Sequence, residues 1–318
     1  MGYTVFNHKD SMSLYHKAIR ERQSREPLNI GFPKLREALT AVLTRGGLIM
    51  LGGAPSSGKT TFAMQMLCSI AEHDKRDIMI ISLEMGYDEL MSRDISRIMY
   101  SKVNKQTAKS ATDLLNGYSI DNGIKTLFTE AERNAEAKAE DYYIERIAEH
   151  LFTYEVSGIV TPDTITGIIN EHISTHAGEP PIILLDYMQI VQGDGTTDEQ
   201  RAASNLAMSL KGISRQHKAP IFTISSTARM NYDKPSTMSF AKNSGAFEYS
   251  ADVAMFLEPE ELYTIPNVTQ KDLEEAKRNT PREMVIALHK NRGGAAEKKY
   301  NYQYYSAYNY FIETGERE

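Results

Sequence analysis

The sequence predicts an α/β fold, with a mainly parallel central sheet flanked by helices and a C-terminal β-hairpin. Three observations carry this expectation. Continuous apolar runs of strand length (Gly47–Leu51, Asp77–Met85, Pro181–Leu185 and Pro220–Ser225) alternate with helical patterns, as strands of a parallel sheet buried on both faces require. The first run leads into Gly53-Ala54-Pro55-Ser56-Ser57-Gly58-Lys59-Thr60-Thr61 and then a helical pattern at Phe62, Met66 and Ile70, the strand–loop–helix context of a phosphate-binding loop. The last stretch, Lys298 to Ile312, is tyrosine-rich and alternates about Ser306-Ala307 like a closing hairpin.

The chain has 318 residues, enough for one large domain with extensions or two small ones. It is 41% hydrophobic and 25% charged, with no long apolar run. The first ten residues are polar, so neither a secretory signal nor a membrane span is expected, and the setting reads as cytoplasmic. The single cysteine, Cys68, excludes an internal disulfide and a cysteine-based zinc site, and reads as a buried structural thiol. A net charge of −6 argues against a surface that coats nucleic acid; such contact would need a local patch or a few loops.

Taken in order, residues 10–26 read as a short amphipathic helix with Asp10 or Ser11 as N-cap and a stripe at Met12, Tyr15, Ala18 and Ile19. It either packs on its own domain or docks on a neighbouring subunit. Pro27 and Gly31 separate this arm (1–28) from the main domain (29–318). Asp77–Met85 reads as a strand, and a helix follows from Tyr87 to Tyr100. Residues 103–150 carry no strand signal, and Glu130 to Leu151 reads as a surface helix. Thr161-Pro162-Asp163 starts another helix that runs to Thr175. After the strand ending at Asp186 come a polar loop (Gln192 to Gln200), a helix (Ala202 to His217) and the strand at Pro220. A second polar loop, Met230 to Phe247, holds Lys234, Lys242, Asn243 and Gly245; a strand from Asp252 to Leu257 follows. Pro259 to Pro281 is charged and surface-like. The strand Met284–His289 then runs into Lys290-Asn291-Arg292-Gly293-Gly294. The closing tyrosines read as an edge hairpin, with base stacking as the other reading.

The residue types in the loop fit nucleoside-triphosphate chemistry. Gly53 and Gly58 let the backbone curl so that successive N–H groups face phosphate oxygens, and the following helix adds its positive end. Lys59 would reach the β/γ-phosphates, and Thr60 would offer its hydroxyl to Mg²⁺. Asp186, at the end of an apolar strand, would bring a carboxylate to the same Mg²⁺. Glu84, just past the end of its strand, either activates an attacking water or simply precedes the next helix.

Several stretches together resemble the C-terminal motor domain of DnaB-type replicative DNA helicases. They are Ile30-Gly31-Phe32-Pro33-Lys34-Leu35, the phosphate loop, Ser82-Leu83-Glu84-Met85, Leu185-Asp186-Tyr187-Met188-Gln189, Ser244-Gly245-Ala246-Phe247-Glu248 with Ala251-Asp252, and Lys290-Asn291-Arg292-Gly293. The resemblance implies a RecA-like P-loop NTPase and a hexameric ring, with ATP and Mg²⁺ held between subunits and Glu84 as the catalytic carboxylate. It implies that Lys290 and Arg292 reach the γ-phosphate held by the next subunit, whereas on their own these residues read as a solvated turn. It also implies that Lys242, Asn243 and Gly245 hold single-stranded DNA in the pore, and that a primase or helicase loader is a partner. Translocation would run 5′ to 3′. Two departures stand out. Ser225-Ser226-Thr227-Ala228-Arg229 keeps the family's arginine, expected at the nucleotide, but has Ser226 where the family has an amide that senses the γ-phosphate. No counterpart of the family's N-terminal collar is found, which leaves open a phage or mobile-element version or a shortened chain. A RecA/RadA-like recombination ATPase and a KaiC-like regulatory ATPase are the alternatives. The first lacks support because the chain has no four-cysteine zinc module.

Overall fold

The computed structural model describes residues 7–24, 26–158, 160–176, 178–186, 199–226, 232–237 and 250–317. Its strands are β1 (Gly47–Gly53), β2 (Ile78–Ser82), β3 (Ser119–Asp121), β4 (Ile124–Thr126), β5 (Leu151–Glu155), β6 (Ile182–Asp186), β7 (Pro220–Ser226), β8 (Val253–Pro259), β9 (Arg282–Asn291), β10 (Lys298–Tyr305) and β11 (Tyr310–Arg317). All but β3 and β4 form one sheet in the order β11-β10-β9-β8-β1-β7-β6-β2-β5. From β8 to β5 neighbouring strands are parallel; β9, β10 and β11 continue the sheet antiparallel.

Alternation along the strands divides the core into two layers, because successive side chains of a strand point to opposite faces. On one face Ile49, Leu51, Ile182 and Leu184 pack against α2 (Pro33–Arg45), α3 (Lys59–Asp74), α4 (Tyr87–Ile98) and the aromatic inner face of the hairpin. On the other, Leu48, Met50, Ile183 and Leu185 pack against two further helices, Pro162–Thr175 and Glu199–His217. Burial on both faces explains why these strands read as continuous apolar runs. Phe32 and Phe62 stack at 4.8 Å between ring centres, with Tyr302 edge-on to both, so the Ile30–Leu35 stretch belongs to the core. Cys68 is buried, as expected, and its thiol donates to Asp94 at 3.3 Å; burial pushes that thiol up.

The hairpin closes the sheet as the tyrosine alternation predicts. Tyr300, Tyr302 and Tyr304 point into the core, whereas Tyr305, Tyr308 and Tyr310 gather half-buried around Tyr100. Of the hairpin's two strands β10 is internal and β11 lies at the edge. Helix α1 (Met12–Gln23) and the start at Thr161, with Pro162 in the first turn and a reciprocal Thr161–Thr164 cap, also stand where the sequence puts them.

Two expectations need correction. Residues 103–150 do contain strands: β3 and β4 form a small ribbon around Asn122-Gly123, both with positive φ. Asn-Gly is the residue pair such a turn demands, so the signal was present but short. The helix starting at Glu130 ends at Arg146, not Leu151, and Leu151 opens β5. β5 is an edge strand that is only half-buried, so it lacks the continuous apolar run that marked its neighbours. The charged segment Pro259 to Pro281 folds into two short helices, Glu261–Thr264 and Gln270–Ala276.

Candidate active site

β1 delivers the phosphate loop to the carboxyl end of the parallel strands, between β7 and β8. The loop's shape requires its glycines. Gly53 has φ 153°, and a Cβ there would come within 2.6 Å of the Leu257 carbonyl oxygen. Gly58 has φ 94°, and a Cβ there would press on the Tyr304 ring at 2.9 Å. Between them Ala54, Pro55, Ser56 and Ser57 form the turn, with Ser56 itself at φ 60° and the Ser57 amide donating to the Ala54 carbonyl at 3.3 Å. α3 starts at Lys59 and carries Thr60 and Thr61 in its first turn, which aims its unpaired N–H groups at the loop.

Lys59 is buried, and its ammonium donates to the Ala54 carbonyl at 2.7 Å. Burial pushes it down to about 8, against the pull of Asp186 and Glu84, which favour the charged form. The Thr60 hydroxyl donates to Asp186 Oδ2 at 2.7 Å. Asp186 is buried at the end of β6, and burial pushes it up to about 6; the Thr60 bond opposes this and the nearby Glu84 charge adds to it. The structure therefore brings Lys59, Thr60, Asp186 and Glu84 together from three separate elements. A hydroxyl and a carboxylate side by side are the oxygen donors a hard divalent cation takes, so the pair fits Mg²⁺.

Glu84 lies in the bend between β2 and α4, three residues before Tyr87 opens the helix, and is exposed. The bend is held on both sides. The Leu83 amide donates to the Asp186 carbonyl at 2.7 Å, and the Ser82 hydroxyl donates to the Met85 carbonyl at 2.6 Å. A carboxylate held at the rim of the site, facing solvent, is placed where a water can reach it.

The cationic turn lies elsewhere. The Arg292 amide donates to the Asp252 carbonyl at 2.9 Å, and its guanidinium stands 3.6 Å from the Asp252 carboxylate. Asp252 in turn accepts from the Leu48 amide at 2.9 Å and pairs with Lys211. Leu48 is at the start of β1 and Gly53 at its end, so Arg292 and the phosphate loop are separated by roughly 17 Å of strand. Lys290 is aligned with Ala254 on β8, which pairs with Met50 at the middle of β1. Asn291 is structural: its amide donates to the Ala38 and Ala295 carbonyls and accepts from the Gly293 amide. Gly293 lies against Ala41 of α2, where a Cβ would come within 2.5 Å. Arg229, Lys242, Asn243 and Gly245 lie outside the described residues, as does the Tyr187-Met188-Gln189 part of the Asp186 motif. Ser226 is the last residue of β7, paired with Gly53 of the phosphate loop.

Sequence reasoning missed the wall behind the loop. Gln65 of α3 exchanges two hydrogen bonds with the Phe311 backbone, each 2.8 Å, and the Thr61 hydroxyl meets Asn309 at 3.3 Å. Tyr304 and Phe311 stack at 4.0 Å beneath Gly58. These partners lie far from the loop in sequence and carry no local signature. Arg93 of α4 is a further cation whose charge favours the ionised form of Asp186. No helix among the described residues is long and apolar enough to cross a membrane.

Comparisons with known proteins identify the relatives of this chain. The family model for the DnaB-like helicase C terminal domain matches residues 28–313. The replicative DNA helicase DnaC of Bacillus subtilis is 27% identical over 244 residues, covering 73% of this chain and 47% of that protein. The replicative DNA helicase DnaB of Helicobacter pylori is 27% identical over 298 residues, covering 90% and 56%. The chain thus spans about half the length of the curated relatives it matches. Among solved structures, a DnaB-like replicative helicase, described with its interactions with primase, superposes with a TM-score of 0.73 at 16% identity. That match covers 97% of this chain and 67% of the other, and is a likeness of fold.

Proposed function

We propose, from the premise that this chain belongs to the DnaB-like helicase C-terminal domain family, that it is the ATP-driven motor of a ring-shaped replicative helicase that moves along single-stranded DNA. The observation that carries this reading is the division of the site. Lys59, Thr60, Asp186 and Glu84 gather at one end of β1, and Arg292 stands at the other, too far away to serve the same nucleotide, with Lys290 level with the middle of the strand. A head-to-tail ring brings one subunit's cationic end to the next subunit's phosphate loop, and such an interface closes into a ring when its rotation permits. Six subunits are what the family implies.

In this reading Gly53 to Thr61 hold the triphosphate by backbone N–H groups, and Lys59 leaves the Ala54 carbonyl to take the β/γ-phosphates. Thr60 and Asp186 hold Mg²⁺, which when bound neutralises charge on the phosphate oxygens. Glu84 orients the attacking water and accepts its proton, and the neighbour's Arg292 and Lys290 stabilise charge building on the γ-phosphate. Arg229 serves the nucleotide. Lys242, Asn243 and Gly245 hold the DNA backbone, which gives a positive pore inside an acidic protein. Met12 and Tyr15 of the arm's apolar stripe are exposed, which supports docking on a neighbouring subunit. Primase and a helicase loader are the protein partners this reading implies.

The test is ATP hydrolysis with and without single-stranded DNA at low salt, alongside the mass in solution. Turnover raised several-fold by DNA in a six-subunit particle is the expected result. An ATPase indifferent to DNA would favour a regulatory ATPase instead.

A second expectation follows from Lys59 and Asp186. Burial lowers the first to about 8, so a nucleotide that favours the charged ammonium takes up a proton on binding above that pH. Burial raises the second to about 6, so a cation must displace its proton below that pH. Affinity for Mg²⁺-ATP should be greatest between about pH 6 and 8 and fall roughly tenfold by pH 5 and by pH 9. Titration with a fluorescent ATP analogue across this range checks it; a flat profile would mean that neither group governs binding.

A further inference from the structure

β9 carries one residue too many. Lys290 pairs with Ala254 and Leu288 with Met255, so His289 between them is the extra residue of a β-bulge. A bulge re-aims a side chain and is a feature to be explained rather than a defect. Here it directs the imidazole beside the Phe256 ring, toward the segment 232–237. His289 Nε2 stands 2.8 Å from the Ser236 hydroxyl. That hydroxyl donates to Glu258 Oε2 at 3.0 Å, and the Ser236 amide donates to Oε1 at 2.8 Å. Tyr263 donates to the same carboxylate at 2.5 Å. With its one proton given to Glu258, the Ser236 hydroxyl accepts from His289, which assigns the hydrogen to Nε2.

Both Glu258 and Ser236 are buried. Burying a carboxylate is costly unless its lone pairs are occupied, and this one takes three donors from two other segments. Its position gives the arrangement meaning. Glu258 follows Leu257, whose carbonyl lies against Gly53 of the phosphate loop. Ser236 precedes Lys242 by six residues, and His289 immediately precedes Lys290. The charged groups facing the cluster from other elements are Glu297, 3.5 Å from His289 Nδ1, with Lys299 of β10 and Arg317 of β11.

We propose that Ser236, Glu258 and His289 form a positioning cluster that sets the Lys290–Arg292 strand end relative to the segment leading to Lys242–Gly245 and to the phosphate loop. The proposal rests on the motor reading above. The cluster acts by fixing where the cationic strand end stands, and errors of about 1 Å at such a group can cost on the order of a hundredfold in rate.

The test uses the full chain and its Ser236→Ala, His289→Ala, doubly substituted and Ser236→Thr forms. It measures kcat and KM for ATP on single-stranded DNA, together with melting temperature. Each single alanine form, assayed well below its melting temperature, should lower kcat roughly tenfold or more with KM within about twofold, and Ser236→Ala should also melt somewhat lower because buried Glu258 loses a donor. The double form should be no worse than either single, because the two act as a unit. Ser236→Thr keeps the hydroxyl and should retain kcat within about threefold. Unchanged kcat in the single forms, losses that multiply in the double form, or a threonine form as poor as alanine would overturn the cluster. A loss of kcat that disappears when each form is assayed well below its melting temperature would do the same. A wild-type chain with no DNA-dependent turnover would overturn the motor reading itself, a result visible before any variant is made.

Discussion

Lys59→Ala is expected to abolish ATP turnover, by roughly 10³-fold or more. The ammonium lies in the floor of the phosphate loop, held by the Ala54 carbonyl and flanked by Asp186 and Glu84. No second lysine follows it in α3 to take over: the helix continues into Thr60, Thr61, Phe62 and Ala63. The fold should survive, because burial already disfavours the charge and its loss removes a desolvation cost that offsets the lost packing of the side chain's stem. Melting temperature measured beside steady-state hydrolysis separates the two effects. A folded variant that retains turnover within about tenfold of wild type would show that the chemistry is elsewhere.

Arg292→Ala should leave nucleotide affinity within a few-fold while lowering turnover by about 10³–10⁵, the range for a cation supplied to the γ-phosphate in trans. The two variants also test each other. Each alone should be inactive, but mixed subunits should recover activity, because some interfaces then join an intact phosphate loop to an intact arginine. Random mixing in equal amounts makes that roughly a quarter of them. Removing Arg292 does not dismantle the turn, because Asn291 holds it to α2 and Asp252 keeps Lys211 and the Leu48 amide. Inactive mixtures would mean that Arg292 acts within its own subunit or only supports the fold. The separation along β1 argues against the first.

Much of the site is legible before folding because its parts are local. A phosphate loop is a short contiguous stretch whose glycines, lysine and threonine are dictated by backbone curvature and charge. The strands of a doubly covered parallel sheet announce themselves as apolar runs, and Asp186 and Glu84 are found at their ends. Where burial is partial, the signal fades: β5 lies at the edge, and the β3–β4 ribbon has only its Asn-Gly turn to mark it.

The sequence by itself thus determined the fold class, the phosphate loop and the carboxylates that could serve it. Tertiary structure alone decided three things. It put the Tyr304–Phe311 stack and Gln65 behind Gly58, it set Arg292 at the far end of the strand that bears the loop, and it bulged His289 onto Ser236 and Glu258. Each joins residues far apart in the chain, through packing and hydrogen bonds that exist only once the sheet has ordered its strands. Local propensity has no term for such pairs, because nothing in either partner's own neighbourhood depends on the other.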